Sequence, residues 1–122
     1  MLLSDVKTIL NADILTDESI VDLESTEILT ACGCDLMSDV LAFVKEQTLL
    51  LTGLINSQVI RTAEMMDIKA ICFVRGKNPP AEVVELANEK EIVLLTTGMS
   101  LYNACGILYA GGVGGTSGAK TI

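Results

Sequence analysis

Three short aliphatic runs constrain this chain most: Leu49-Leu50-Leu51, Ala70-Ile71-Cys72-Phe73-Val74 and Ile92-Val93-Leu94-Leu95. Runs uninterrupted by polar residues are what strands buried on both faces require. Between and after them lie segments of helical spacing. Val59, Ile60 and Ala63, with Met65 or Met66, form one apolar stripe. Val83, Leu86 and Ala87 form a second, and Leu101, Ala104, Cys105 and Leu108 a third. The order is β-α-β-α-β-α with connections of a few residues. Consecutive parallel strands joined by helices force right-handed crossovers. The expected fold class is therefore α/β: a mainly parallel sheet flanked by helices in a layered sandwich.

The first third of the chain extends the pattern. Val6, Ile9 and Leu10 predict a short amphipathic helix, with Ser4 as N-cap before Asp5. Asp13 to Leu15 reads as a short strand, and polar Thr16 to Glu24 as a connection. Thr26 to Cys34 reads as a strand with Ile28, Thr30, Cys32 and Cys34 on one face and Leu29 and Ala31 on the other. Asp35 stands where an N-cap would open a helix carrying Leu36, Met37, Val40, Leu41 and Val44. Further along, Asn56 or Ser57 can cap the next helix. Pro79-Pro80 starts another, with Glu82 complementing its dipole. Thr97, Gly98 or Ser100 can cap the last helix, and Gly111-Gly112 ends it. Residues 1–110 are expected to form one domain. Residues 111–122, rich in Gly, Ser and Thr, are expected to form a flexible tail.

A chain of 122 residues is long enough to bury about two-thirds of its unfolded surface without staples. Hydrophobic residues supply 50% of it and aromatics only 3%, so the core must be aliphatic. So much aliphatic content implies a sheet covered on both sides, with apolar surface left for a partner. The net charge of -8, with scattered Lys and Arg, argues against a nucleic-acid partner. No apolar run approaches the ~20 residues needed to span a bilayer. The N-terminus lacks a basic region and a long apolar stretch, so no signal peptide is expected. Four cysteines without disulfide-scaffold density fit a cytoplasmic protein.

Cys34-Asp35-Leu36-Met37-Ser38-Asp39-Val40-Leu41-Ala42, Leu49-Leu50-Leu51-Thr52-Gly53, Ile71-Cys72-Phe73-Val74-Arg75-Gly76 and Ile92-Val93-Leu94-Leu95-Thr96-Thr97 in this order resemble the DRTGG-domain family. Its relatives include the N-terminal domain of HPr kinase/phosphorylase. The resemblance covers most of residues 1–110, and the segment with Asp35, Ser38 and Asp39 is its most specific part. The motif that names the family is not present as written; Glu24-Ser25-Thr26-Glu27 stands roughly in its place. The resemblance implies a noncatalytic, homodimeric regulatory module beside a larger enzyme, responding to an adenine nucleotide or phosphorylated metabolite. The kinase chemistry of the HPr enzymes belongs to a separate P-loop domain that is absent from this sequence.

The candidate chemistry is sparse. Gly114-Gly115-Thr116-Ser117-Gly118-Ala119-Lys120-Thr121 only approximates a P-loop, because Ala119 separates glycine from Lys120. Cys32 and Cys34 share a strand face and, with Cys72 or Cys105, offer a soft-metal or iron–sulfur site. The competing reading is that they are small core residues. Asp35 and Asp39, four apart, are a conceivable carboxylate pair, against a plain reading as helix-start acids. The chain has no histidine, so no serine has its commonest base. No cofactor is expected, and a small-molecule kinase-like enzyme is the remaining alternative. The favoured site is geometric. Ligands collect beyond the carboxyl ends of parallel strands, which here places Gly53, Asn56, Ser57, Arg75, Gly76, Lys77, Thr96, Thr97 and Gly98 together. Their hydroxyls, helix starts and two cations suit a small anion; ordinary turn and cap chemistry would use the same residue types.

Overall fold

The computed structural model describes residues 1–44 and 47–115. In chain order the elements are α1 (Leu3–Ile9), β1 (Asp13–Ile14), β2 (Thr30–Gly33), α2 (Met37–Phe43), β3 (Thr48–Thr52), α3 (Ser57–Met65), β4 (Ala70–Phe73), α4 (Ala81–Glu89), β5 (Val93–Thr96), α5 (Leu101–Ala110) and β6 (Gly114–Gly115). The strands form one sheet in the order β1-β5-β4-β3-β2-β6. Every pairing is parallel except that of β1 with β5. The layered, mainly parallel α/β sandwich expected from the sequence is the one found.

The aliphatic runs become the central strands because each alternate residue has a different layer to enter. Leu49, Leu51, Ala70, Cys72, Val93 and Leu95 pack with α1 and α5. Leu50, Ile71, Phe73 and Leu94 pack with α2, α3 and α4. All five residues of β3 and all four of β4 are buried. At ~25 cal/mol per Å² of apolar area this two-sided burial is the main stabilising contribution.

Several local expectations change. Ser4 does not cap α1: Leu2 holds the cap position without a side-chain bond. The first free amides of α1 are met instead by backbone, Leu3 N–H donating to Thr26 O and Ser4 N–H to Leu23 O. Asp35 does not cap α2 either, since Leu36 occupies that position with no side-chain cap bond. The expected strand from Thr26 shortens to Thr30–Gly33. Ile28 lies before it and joins the α1/α5 layer, whereas Cys32 and Cys34 face the other. Leu36, Leu41 and Met65 are exposed rather than buried. Of the expected tail, residues 111–115 are ordered into the domain: Val113 is buried and Gly114–Gly115 pair with β2. Gly112, at φ +103, takes a left-handed turn that suits glycine and brings the chain back to that edge. The rest of the tail lies outside the described residues. Among the described residues no helix is long and apolar enough to cross a membrane.

Candidate functional site at the carboxyl ends of the strands

The carboxyl ends of β2, β3, β4 and β5 open on one edge of the sheet. Thr52 ends β3 fully buried, and its Oγ1 donates to Asp35 Oδ1 at 2.7 Å. The Gly53 amide donates to the same oxygen at 2.8 Å. Thr52 Oγ1 in turn accepts from the Leu54 amide at 3.1 Å. Asp35 therefore reaches across from the end of β2 and closes the β3 terminus instead of its own helix. The Thr52 hydroxyl, then the Gly53 amide, hold its carboxyl below the ordinary range. Partial burial opposes them, and the charges of Lys77 and Arg75 add to them. Oδ1 carries both bonds; Oδ2 receives none from the described residues.

The opposite wall comes from the turn after β4. Arg75 and Gly76 are both left-handed, at φ 59 and 66, and the Lys77 amide donates to Val74 O at 3.2 Å. The turn is fixed from its other side, with Arg75 N–H donating to Met99 O at 2.8 Å and Gly76 N–H to Thr97 O at 2.7 Å. Those two amides are thereby used, so an anion meeting this turn would meet side chains rather than a backbone nest. Thr96 Oγ1 donates to Lys77 O at 2.8 Å, and Lys77 Nζ donates to Gly53 O at 3.2 Å. A Cβ at Gly53 would stand 3.7 Å from Lys77 Nζ and 3.8 Å from each Asp35 oxygen. Glycine thus keeps open the space between a cation and a carboxylate.

The expected site residues divide accordingly. Gly53, Arg75, Gly76 and Lys77 come together, joined by Asp35. Asn56 caps α3, its Oδ1 accepting from the Gln58 amide at 3.1 Å, and Ser57 opens that helix. Thr97 is withdrawn. It is buried, and its Oγ1 donates to Leu10 O at 2.6 Å while accepting from Met99 N–H at 3.3 Å. Ser38 and Asp39 sit exposed in the first turn of α2. Thr52 was not singled out by the sequence; a hydroxyl ending an apolar run just before glycine is the signal that marks it.

The cysteines are divided by the sheet. Cys32 and Cys34 pack on the α2–α4 side, and Cys72 and Cys105 on the α1/α5 side. Among the described residues no group of three or more acidic, thiol or imidazole side chains converges on a point. Burial pushes the Cys72 thiol up to about 12 and raises that of Cys105. Residues 116–121 of the P-loop-like segment lie outside the described residues.

The sequence matches no known family profile, and no curated protein is similar to it. The fold is similar to a solved structure of the CBS and DRTGG domains of the regulatory region of Clostridium perfringens pyrophosphatase, complexed with its activator diadenosine tetraphosphate. The TM-score is 0.68 at 14% identity, over 88% of this chain and 45% of that one. This chain thus corresponds to about half of that regulatory region. The likeness establishes a shared fold.

Proposed function

We propose that this domain is a noncatalytic regulatory module of the cytoplasm, homodimeric and acting beside a larger enzyme. In this reading it binds an adenine nucleotide or another phosphorylated metabolite at the carboxyl edge of its sheet. The carrying observation is the pairing across Gly53. Lys77, with Arg75 on the same turn, offers positive charge, and Asp35 Oδ2 offers an acceptor that no described residue uses. A ligand with both a phosphate and a hydroxyl or amino donor answers both walls, and a nucleotide has all of these. The similar fold of a regulatory region complexed with a dinucleotide activator supports the same class of ligand.

A kinase-like role fits the edge poorly. The carboxylate there is held below its ordinary range, which makes it a weak proton acceptor. The chain has no histidine to replace it.

Calorimetric titration of the full chain with ATP, ADP, AMP and diadenosine tetraphosphate tests the reading. Binding by at least one of them should raise the melting temperature by mass action, and Lys77→Ala should weaken it. No heat and no melting shift with any of the four would overturn it.

A further inference from the structure

Helix α5 differs from every other helix described. α1, α2, α3 and α4 each carry at least one charged residue, whereas Leu101–Ala110 carries none. Its inner side is ordinary, with Ala104 and Leu108 buried against the sheet. Its outer side is not. Tyr102 is 86% exposed and Tyr109 42%, and these are both of the chain's tyrosines. Gly106 lies between them at helical spacing, with nothing within 4 Å of where its Cβ would be. The stripe Tyr102–Gly106–Tyr109 borders a groove of about 800 Å³ that extends to the β2–β6 edge at Gly33 and Gly114. Exposed Asn103 is the one strongly polar side chain on the helix, and a helix so nearly apolar on both sides is normally covered on both.

We infer that the outer face of α5 seats a second copy of this chain, packed about a two-fold axis that passes between Tyr102 and Gly106. The inference rests on the homodimer reading above and adds the surface. Two observations select a second copy as the occupant. The first is charge. The chain carries -8, and α4 alone holds Glu82, Glu85 and Glu89, so pairing through such faces sets like charges against each other. Pairing through α5 sets none. The second is self-complementarity. A two-fold interface needs projection and recess on one patch. Here an aromatic projection stands one turn from a bare glycine backbone, so the Tyr102 ring of each copy can enter the recess at Gly106 of the other. Tyrosine is also among the residues enriched in interface cores.

Sedimentation velocity of the full chain over a concentration series tests this. The wild type should sediment as a dimer. Tyr102→Glu and Gly106→Glu, each at an exposed position, should weaken dimerisation by about tenfold or more while the circular-dichroism spectrum stays native. Glu85→Lys on α4 should leave dimerisation unchanged. A dimer unaffected by both α5 substitutions overturns the assignment of this face and leaves the homodimer reading standing. A wild type that stays monomeric throughout overturns both.

Discussion

The two faces of the sheet are closed by different kinds of helix. On one side α2, α3 and α4 turn apolar stripes inward and charges outward: Val40, Val59, Ile60, Val83 and Ala87 are buried and Arg61, Glu64, Glu85 and Glu89 face water, with the large apolar side chains Leu41 and Met65 exposed among those charges. On the other, α5 carries no charged residue inside or out, beside the short α1. The comparison shows how to read a covering helix. Amphipathicity marks an outermost layer, and its absence marks one expecting a further layer.

The sharpest contrast is between truncations on the two sides. Phe73→Ala empties a fully buried site in the α2–α4 layer and should cost about 3–5 kcal/mol. Tyr102→Ala on the outer face of α5 should change the stability of the monomer by less than about 0.5 kcal/mol. Urea denaturation at a concentration where the chain is monomeric measures both. Equal losses would break the distinction between a packed inner layer and an open outer face.

A smaller effect probes how closely α5 lies on the sheet. A Cβ at Gly33 would run into Cys105 Sγ and stand 3.2 Å from Leu101 Cδ1. Gly33→Ala should therefore cost about 1–3 kcal/mol by overpacking. Adding Cys105→Ala should return much of that loss. A Gly33→Ala variant as stable as wild type would mean that α5 can shift outward freely.

What the sequence discloses follows the same division. The strands β3, β4 and β5 are legible because uninterrupted aliphatic runs have few other ways to be buried. Asn56 and Ser100 are legible as caps because their bonds, to Gln58 and Asn103, are local. Asp35 is misread for the converse reason. A carboxylate just before a helix has a local use, but here Thr52 and Gly53, brought alongside by the pairing of β2 with β3, compete for it and win. Thr97 is misread likewise, since Leu10, which takes its hydroxyl, is remote in sequence. The strand at Gly114–Gly115 has no side-chain signal at all, only an edge to pair with. Of the site, the turn at Arg75–Lys77 was legible from its residue types. Its opposite wall depended on long-range bonds.

Thr52 tests that wall from the buried side. Thr52→Val removes the donor to Asp35 and leaves the Leu54 amide without its acceptor. The expected cost is about 1–2 kcal/mol, with weakened binding of any ligand that uses Asp35. Chemical denaturation and calorimetry on the same variant read the two consequences separately. Unchanged stability would show that water replaces the hydroxyl without loss, and the site would then be less fixed than the distances indicate.

The smallest effect concerns pH, and it falls at the carboxyl edge. The folded-state value of Asp35 is depressed, chiefly by Thr52 and Gly53. Its unfolded value is that of an ordinary aspartate, about 3.9. A depressed carboxylate releases its proton more readily when folded, so its contribution is complete above the unfolded value and disappears as pH falls through the folded one. Asp35→Asn removes that titration. The variant should be less stable at neutral pH, and the gap to wild type should narrow on acidification below about pH 4. Melting temperatures from pH 2.5 to 7 for wild type and the variant decide it. A gap at Asp35 that stays constant with pH would mean the carboxylate stabilises the edge by shape rather than charge, and the case for a charged wall facing Lys77 would fall with it.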